Sequence, residues 1–329
     1  MRLAVLFEKT LKEYAAKELG TFTKVFEEIA PGYAITDADY KELNIKSRFL
    51  QRVGILIGFF EKMSDFKGLK YSDYLSSNDS FKVRCDDKTV CVELGQYIKD
   101  ATNAKVSLDN PVKIFYAERL NNKLLVFLDT TGEKKLTQRG YTSTNVEVLT
   151  SDAAAAIVLF SGWTPDKVLI DLYCNQGYII IEAVMNALNI WPGTLKTKSF
   201  NFEIGTFKIK EGVKLNVLAF STTMNDIKNA KQNCQLAGVY KFVKFGTQEL
   251  NAVDYDLGEN KVDYVISAPP RDIDWNKLFF QLEYIVRNNG IAVLYTSADI
   301  NAYKEYKIEL VEQASICGKN TYKFQVKKK

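Results

Sequence analysis

The sequence contains no histidine. That absence removes Ser-His-Asp and Cys-His catalysis, histidine general bases and histidine metal ligands, so any chemistry must use carboxylates, backbone groups or a cofactor. Cysteine is sparse: Cys85, Cys91, Cys174, Cys234 and Cys317 are scattered and form no Cys-x-x-Cys pair. A disulfide framework, a zinc cluster and any other bound metal are therefore not expected. Long apolar runs are missing too. The longest, Val53 to Phe60, falls far short of the roughly 20 residues that span a bilayer, so no membrane partner is expected. Met1-Arg2-Leu3 leads straight into a strand-like run with no cleavage-site pattern, which gives the expectation of a cytoplasmic chain. Excess charge is small, 44 basic against 40 acidic residues for a net +4. Neither half is a polycation, so composition permits nucleic-acid binding without demanding it.

What is present is an ordinary globular composition, 47% hydrophobic and 26% charged over 329 residues, enough for about two domains. The first sixty residues read as small α+β structure. Arg2–Phe7 is a strand, Thr10-Leu11-Lys12-Glu13 has capping-box spacing, and Gly20 stops the helix. A Ser/Asp/Asn cluster over Ser72–Ser80 marks a loop. Beyond it the pattern predicts a strand at Phe81–Arg84, a strand or short turn at Thr89–Val92, a helix over Leu94–Ala104, and strands at Val112–Glu118 and Leu124–Asp129. Thr130–Leu149 is polar and reads as a linker. After Ser151 helices and strands alternate, which argues a parallel sheet with helices on both faces. Its expected strands are Val168–Asp171, Leu215–Phe220, Phe242–Phe245, Val262–Ile266 and Ile291–Tyr295, closed by an antiparallel pair at Ile308–Val311 and Tyr322–Val326.

Two segments of that second half carry chemistry. Val168 to Gly177 (Val-Leu-Ile-Asp-Leu-Tyr-Cys-Asn-Gln-Gly) is a strand, a turn and a helix start, the place where doubly wound sheets present backbone N–H groups to a nucleotide. Val262 to Arg271 ends a strand in Ala268-Pro269-Pro270-Arg271, a stiff turn at the same edge.

In this order and spacing, the two segments resemble the first motif (D-P-x-C-G-S-G-T) and fourth motif (N-P-P-Y or D-P-P-Y) of Rossmann-type S-adenosylmethionine-dependent RNA guanine-N2 methyltransferases. Ile180-Ile181-Glu182-Ala183, Asn189-Ile190-Trp191-Pro192-Gly193 and Phe200-Asn201-Phe202-Glu203 follow the same order. In the first half, Ala104–Pro111, Leu128-Asp129-Thr130-Thr131-Gly132 and Lys135–Tyr141 resemble a THUMP domain running into the methyltransferase. The resemblance implies an α/β chain with an N-terminal α+β ferredoxin-like part (1–62), a THUMP part (63–133), a linker (134–152) and a Rossmann-like seven-stranded methyltransferase domain (153–329). It also implies a tRNA or other structured RNA as partner and S-adenosylmethionine as cofactor. The positions that would hold that cofactor are Asp171, Cys174, Asn175, Gln176, Gly177, Ser221 and Glu249. Ala268, Pro269, Pro270 and Arg271 stand where the target base would be oriented. Lys82, Arg84, Lys105, Lys134, Lys135 and Arg139 are the candidate RNA phosphate contacts.

The departures from the family pattern fall on the chemistry. The loop glycine and serine of the first motif are Asn175 and Gln176, and its threonine is Tyr178. The acid that grips the ribose hydroxyls is replaced by Ser221, with Thr223 nearby; losing a charged acceptor costs about 1.5–3 kcal/mol. Ala268 occupies the Asn/Asp position that accepts from the exocyclic amine of the flipped guanine, and Arg271 replaces the aromatic that stacks on it. The expectation is an RNA-binding chain with weakened or lost methyl transfer, an inactive paralogue or the partner subunit of an active methyltransferase. The alternative is an active enzyme with a rebuilt site, in which Ser267 and Asp272 supply acceptors from displaced positions.

Overall fold

The computed structural model describes residues 1–328 apart from 142–148, 201, 203–204 and 206–207. Most of the central part of the expected linker, Asn201 and Glu203 thus lie outside the described residues. The chain divides into two units, one of Met1–Leu136 with Lys196–Ile204 and one of Thr137–Leu195 with Gly205–Lys329.

The first unit contains β1 (Leu3–Phe7), α1 (Lys12–Leu19), β2 (Glu27–Ala30), β3 (Tyr33–Thr36), α2 (Tyr40–Lys46), β4 (Leu50–Phe60), β5 (Ser80–Arg84), α3 (Lys88–Thr102), β6 (Lys105–Val106), β7 (Lys113–Leu120) and β8 (Lys123–Asp129). A single eight-stranded sheet in the order β2-β3-β1-β4-β8-β7-β5-β6 runs through both parts expected at 1–62 and 63–133. The long strand β4 joins them by pairing with β1 on one side and β8 on the other. Gly54 makes that junction possible: a Cβ there would lie 2.0 Å from the Phe127 ring and 2.7 Å from the Leu128 carbonyl.

Three sequence expectations are corrected here. Thr10 does not cap α1; the Glu8 carboxylate accepts from the Thr10 N–H and opens a short 3-10 turn instead. Thr89–Val92 is not a strand, because Asp87 accepts from the Thr89 and Val90 N–H groups and starts α3 there. The helix then buries Val90, Leu94 and Ile98, four residues apart on one face. The third concerns cysteine: Cys85 and Cys91 are joined as a disulfide linking the end of β5 to the first turn of α3.

The second unit contains α4 (Ser151–Ser161), β9 (Leu169–Asp171), α5 (Tyr178–Leu188), β10 (Val217–Ser221), α6 (Met224–Leu236), β11 (Val243–Thr247), α7 (Val253–Leu257), β12 (Val262–Ser267), α8 (Trp275–Ile285), β13 (Val286–Thr296), β14 (Ile308–Ile316) and β15 (Lys319–Val326). Its sheet is Rossmann-like and seven-stranded, in the order β11-β10-β9-β12-β13-β15-β14. The first five strands are parallel, and β15 returns antiparallel beside β13. The helices close over a core that includes Val265, Phe279, Leu282, Leu294 and Phe324, all fully buried.

This order decides where a site can be. β9 lies in the middle with β10 on one side and β12 on the other, so the chain leaves β9 in one direction and returns to it from the other. A crevice forms at such a switch point, outside the carboxyl ends of the strands. Asp171, Ser221 and Ser267 are the last residues of those three strands.

Candidate functional site

At the edge of the second unit, Asp171 is 1% exposed and accepts from the Ser267 hydroxyl at 2.6 Å and the Tyr173 N–H at 3.0 Å. The Ser267 oxygen in turn accepts from the Tyr173 N–H at 3.0 Å. Burial pushes the Asp171 carboxyl up to about 7, and the bonds from Ser267 and Tyr173 only partly oppose it. The carboxylate therefore braces the first-motif turn against the end of β12. Ser267, expected as a displaced acceptor for the alternative reading, is spent on this brace.

The turn itself is shaped by two left-handed residues. Asn175 sits at φ 45° and its side-chain amide donates to the Tyr173 carbonyl at 2.8 Å, so asparagine does here what the family's glycine would do. Gly177, at φ 81°, caps α5, and a Cβ on it would sit 3.3 Å from the Ala230 Cβ on α6. The Gln176 carbonyl accepts from Asn233 at 3.0 Å. Cys174 is buried and its thiol is pushed well up by burial and then by the Asp171 charge, so it is no nucleophile. Tyr178 is 5% exposed and stacks on Tyr141, with ring centroids 5.2 Å apart.

The space these side chains leave is small. The cavity bounded by Asp171, Tyr173, Asn175, Gln176, Tyr178 and Ala268 measures about 10 Å³, room for about one water molecule. Ala268 is 5% exposed within it. Pro269 is buried beside it, whereas Pro270, Arg271 and Asp272 are exposed. Glu249 is exposed, and its charge is the second cause, after burial, that raises Tyr173 to about 12, which places it near the turn.

Sequence reading missed one residue at this edge. Ser221 is 2% exposed and donates to Asp226 Oδ2 at 2.9 Å, and Thr223 donates to the same oxygen at 2.7 Å. Thr223 also caps α6 by accepting from the Asp226 N–H at 3.1 Å. The signal was legible: Thr223-Met224-Asn225-Asp226 has capping-box spacing. A carboxylate thus returns to the β10 edge from the first turn of α6.

S-adenosylmethionine is a drug-sized ligand, and sites for such ligands typically offer 300–1,000 Å³ with a few convergent polar groups. The cavity bounded by these described residues is smaller than that, the two hydroxyls at the β10 edge donate to Asp226, and Ala268 has no side-chain acceptor. Among the described residues, no group of three Cys, Asp or Glu is gathered as metal ligands, and no helix is long and apolar enough to cross a membrane.

The first unit holds the cationic candidates. On β5, Lys82 and Arg84 alternate with Phe81 and Val83, which pack towards the core under α3. Lys105 pairs in register with Ser80 and so shares the face of Lys82 and Arg84. Lys105, Lys134 and Lys135 are exposed, and Lys135 donates to Gln51 at 2.9 Å. Both Lys82 (2.8 Å) and Arg84 (2.5 Å) hold the Glu133 carboxylate. Burial works against it, yet these two cations keep Glu133 below the usual carboxylate range.

Arg139 is a correction. It belongs to the second unit, is 1% exposed, and its Nε donates to Glu182 at 3.0 Å. A guanidinium locked in a buried pair is out of reach of a phosphate, so Arg139 leaves the set of RNA contacts.

Residues 139–272 match the UPF0020 family, RMKL-like methyltransferase domain. A tRNA (guanine(6)-N2)-methyltransferase of Methanocaldococcus jannaschii is 25% identical over 303 residues, covering 80% of this chain and 79% of that protein. The ribosomal RNA large subunit methyltransferase K/L of Buchnera aphidicola is 28% identical over 232 residues, covering 64% of this chain, which spans only 31% of that longer protein. SMU.472, a putative methyltransferase crystallised with SAH, shares the fold with a TM-score of 0.78 over 100% of this chain and 98% of its own, at 18% identity. Residues 139–272 thus match the RMKL-like methyltransferase domain of the UPF0020 family, in a chain similar over most of its length to a tRNA (guanine(6)-N2)-methyltransferase.

Proposed function

We propose that this chain is an RNA-binding, THUMP-type member of the guanine-N2 methyltransferase group whose methyl transfer is weakened or lost. It acts in the cytoplasm as an inactive paralogue or as the partner subunit of an active methyltransferase. The observation that carries the reading is the cavity of about 10 Å³ at the first-motif turn, walled by Tyr178 and ending on Ala268. A tRNA is the favoured partner, since the relative that matches over 80% of the chain is named as a tRNA methyltransferase. Lys82, Arg84, Lys105, Lys134 and Lys135 remain its candidate phosphate contacts.

One observation supports a second reading, an active enzyme that binds S-adenosylmethionine through a rebuilt site. Asp226 brings a carboxylate to the edge where Ser221 stands in place of the family's acid, and Glu249 stands near the turn.

A single assay separates the two. The chain is incubated with an unmodified tRNA transcript and S-adenosylmethionine labelled in the methyl group, and bound RNA and incorporated label are both measured. The first reading expects salt-dependent binding with no label above background. Incorporation that disappears in Asp226→Ala establishes the second reading, and absence of RNA binding removes the first.

A further inference from the structure

We infer that Glu133 is an internal occupant of a phosphate-binding fork formed by Lys82 and Arg84, and that an RNA phosphate must displace it to dock. The inference rests on the RNA-binding reading and adds to it a residue that limits the affinity.

The geometry is that of an occupied anion site. One oxygen of Glu133 lies 2.8 Å from Lys82 Nζ and the other 2.5 Å from Arg84 Nη2. Two donors spaced for the two oxygens of a carboxylate also match two non-bridging oxygens of a phosphate. The Glu133 side chain is 57% exposed, but Lys82 is 16% and Arg84 24% exposed. From solvent the carboxylate is therefore the most accessible part of the cluster.

The cluster is built so that Glu133 can leave. Behind it the Asp129 side chain is 0% exposed, paired with Arg52 at 2.5 Å and 3.6 Å from Arg84. Arg52 also donates to the Gly132 carbonyl at 2.9 Å and the Glu133 carbonyl at 3.3 Å. The backbone at 132–133 is thus pinned independently of the Glu133 side chain. Arg84 Nη1 faces Asp129 and is shielded from solvent, so Nη2, which holds Glu133, is the donor a phosphate would take over. With Glu133 in place, three cations face two carboxylates; swinging Glu133 out leaves a charge of +2 over the buried Asp129, ready for a phosphate.

A nucleic acid fits better than an acidic peptide. Beside the fork lies a cavity of about 210 Å³ lined by Glu133, Gly132, Lys113 and the rings of Tyr40 and Phe202. It has room for one nucleobase, and aromatic walls stack on bases regardless of sequence.

The test uses the full chain and a labelled unmodified tRNA transcript, with affinity measured from low to moderate salt. Four proteins are compared: the parent, Glu133→Gln, Lys82→Ala/Arg84→Ala, and the triple variant. Glu133→Gln should bind about tenfold tighter with a log-log salt slope steeper by about 0.7–0.9. Lys82→Ala/Arg84→Ala should bind more weakly, and Glu133→Gln on that background should change nothing. Glu133→Ala serves as a second variant with the same expected direction should the glutamine disturb the loop. If neither Glu133 variant tightens binding while the double variant still weakens it, the occupant role is wrong and RNA binding stands. If no variant binds RNA at all, both fall together.

Discussion

Two carboxylate–cation sites, one in each unit, look alike in sequence and differ in kind. Glu182 and Arg139 in the second unit are 1% and 0% exposed at the side chain and hold each other at 3.0 Å. Glu133 in the first unit meets Lys82 and Arg84 at comparable distances with more than half its side chain in solvent. A buried pair that loses one partner strands a charge, whereas an exposed pair that loses one exchanges it for water. Ion pairs near Arg139 therefore hold the fold, and those near Lys82 are available for exchange with a ligand. The same contrast separates the sheet edge at Asp171, whose polar groups have satisfied one another, from the β5 face, whose cations end at the surface.

That contrast can be broken at several points. The largest effect is expected for Glu182→Ala, which takes the Glu182 carboxylate away from the buried Arg139: about 3–5 kcal/mol of stability should be lost in urea unfolding. A loss as small as that of an exposed pair would remove the distinction between the two sites.

Asp171 gives the next effect, and its sign is fixed by its raised value. The folded chain keeps its proton up to about 7, whereas the unfolded chain releases it near the ordinary value of 3.8. Between those limits the folded state binds more protons, so Asp171 makes stability fall as pH rises from about 4 to about 7, with no further change above. Asp171→Asn should flatten that part of the unfolding profile while keeping the acceptor for Ser267 and Tyr173. An unchanged profile would mean that the carboxyl titrates normally in the fold.

Thr223→Ala removes the cap of α6 and one of two donors to Asp226. It should cost about 1 kcal/mol, whereas Thr223→Ser, which keeps the hydroxyl, should retain most of the parent's stability. The smallest effect belongs to Glu133→Ala, expected within about 1 kcal/mol of the parent. A loss of several kcal/mol there would make Glu133 a structural residue rather than an exchangeable one.

Much of the second unit was legible in the sequence because its strands are short apolar runs punctuated by turns. The boundaries expected at Val168–Asp171 and Val262–Ile266 lie within a residue of β9 and β12. The first unit was harder to read. Thr89 and Val90 are β-branched and suggest a strand, but the Asp87 cap and the burial of Val90 with Leu94 decide for a helix. At the candidate site the left-handed role of Asn175 follows from its residue type, and φ 45° agrees with it. Charge type alone could not place Arg139, because the partner that buries it lies 43 positions away. Asp226 was passed over for a related reason: the acid was sought at the end of β10, and it lies one helix turn beyond.

The central claim is that this chain keeps the methyltransferase scaffold without a competent cofactor cleft. Calorimetric titration of the full chain with S-adenosylmethionine, up to millimolar concentration, tests it most directly. The account predicts no saturable binding, with Tyr178 and Gln176 lining the small cavity at the turn and Ser221 donating to Asp226. Micromolar binding would contradict it and would make Asp226 and Glu249 the residues to replace next.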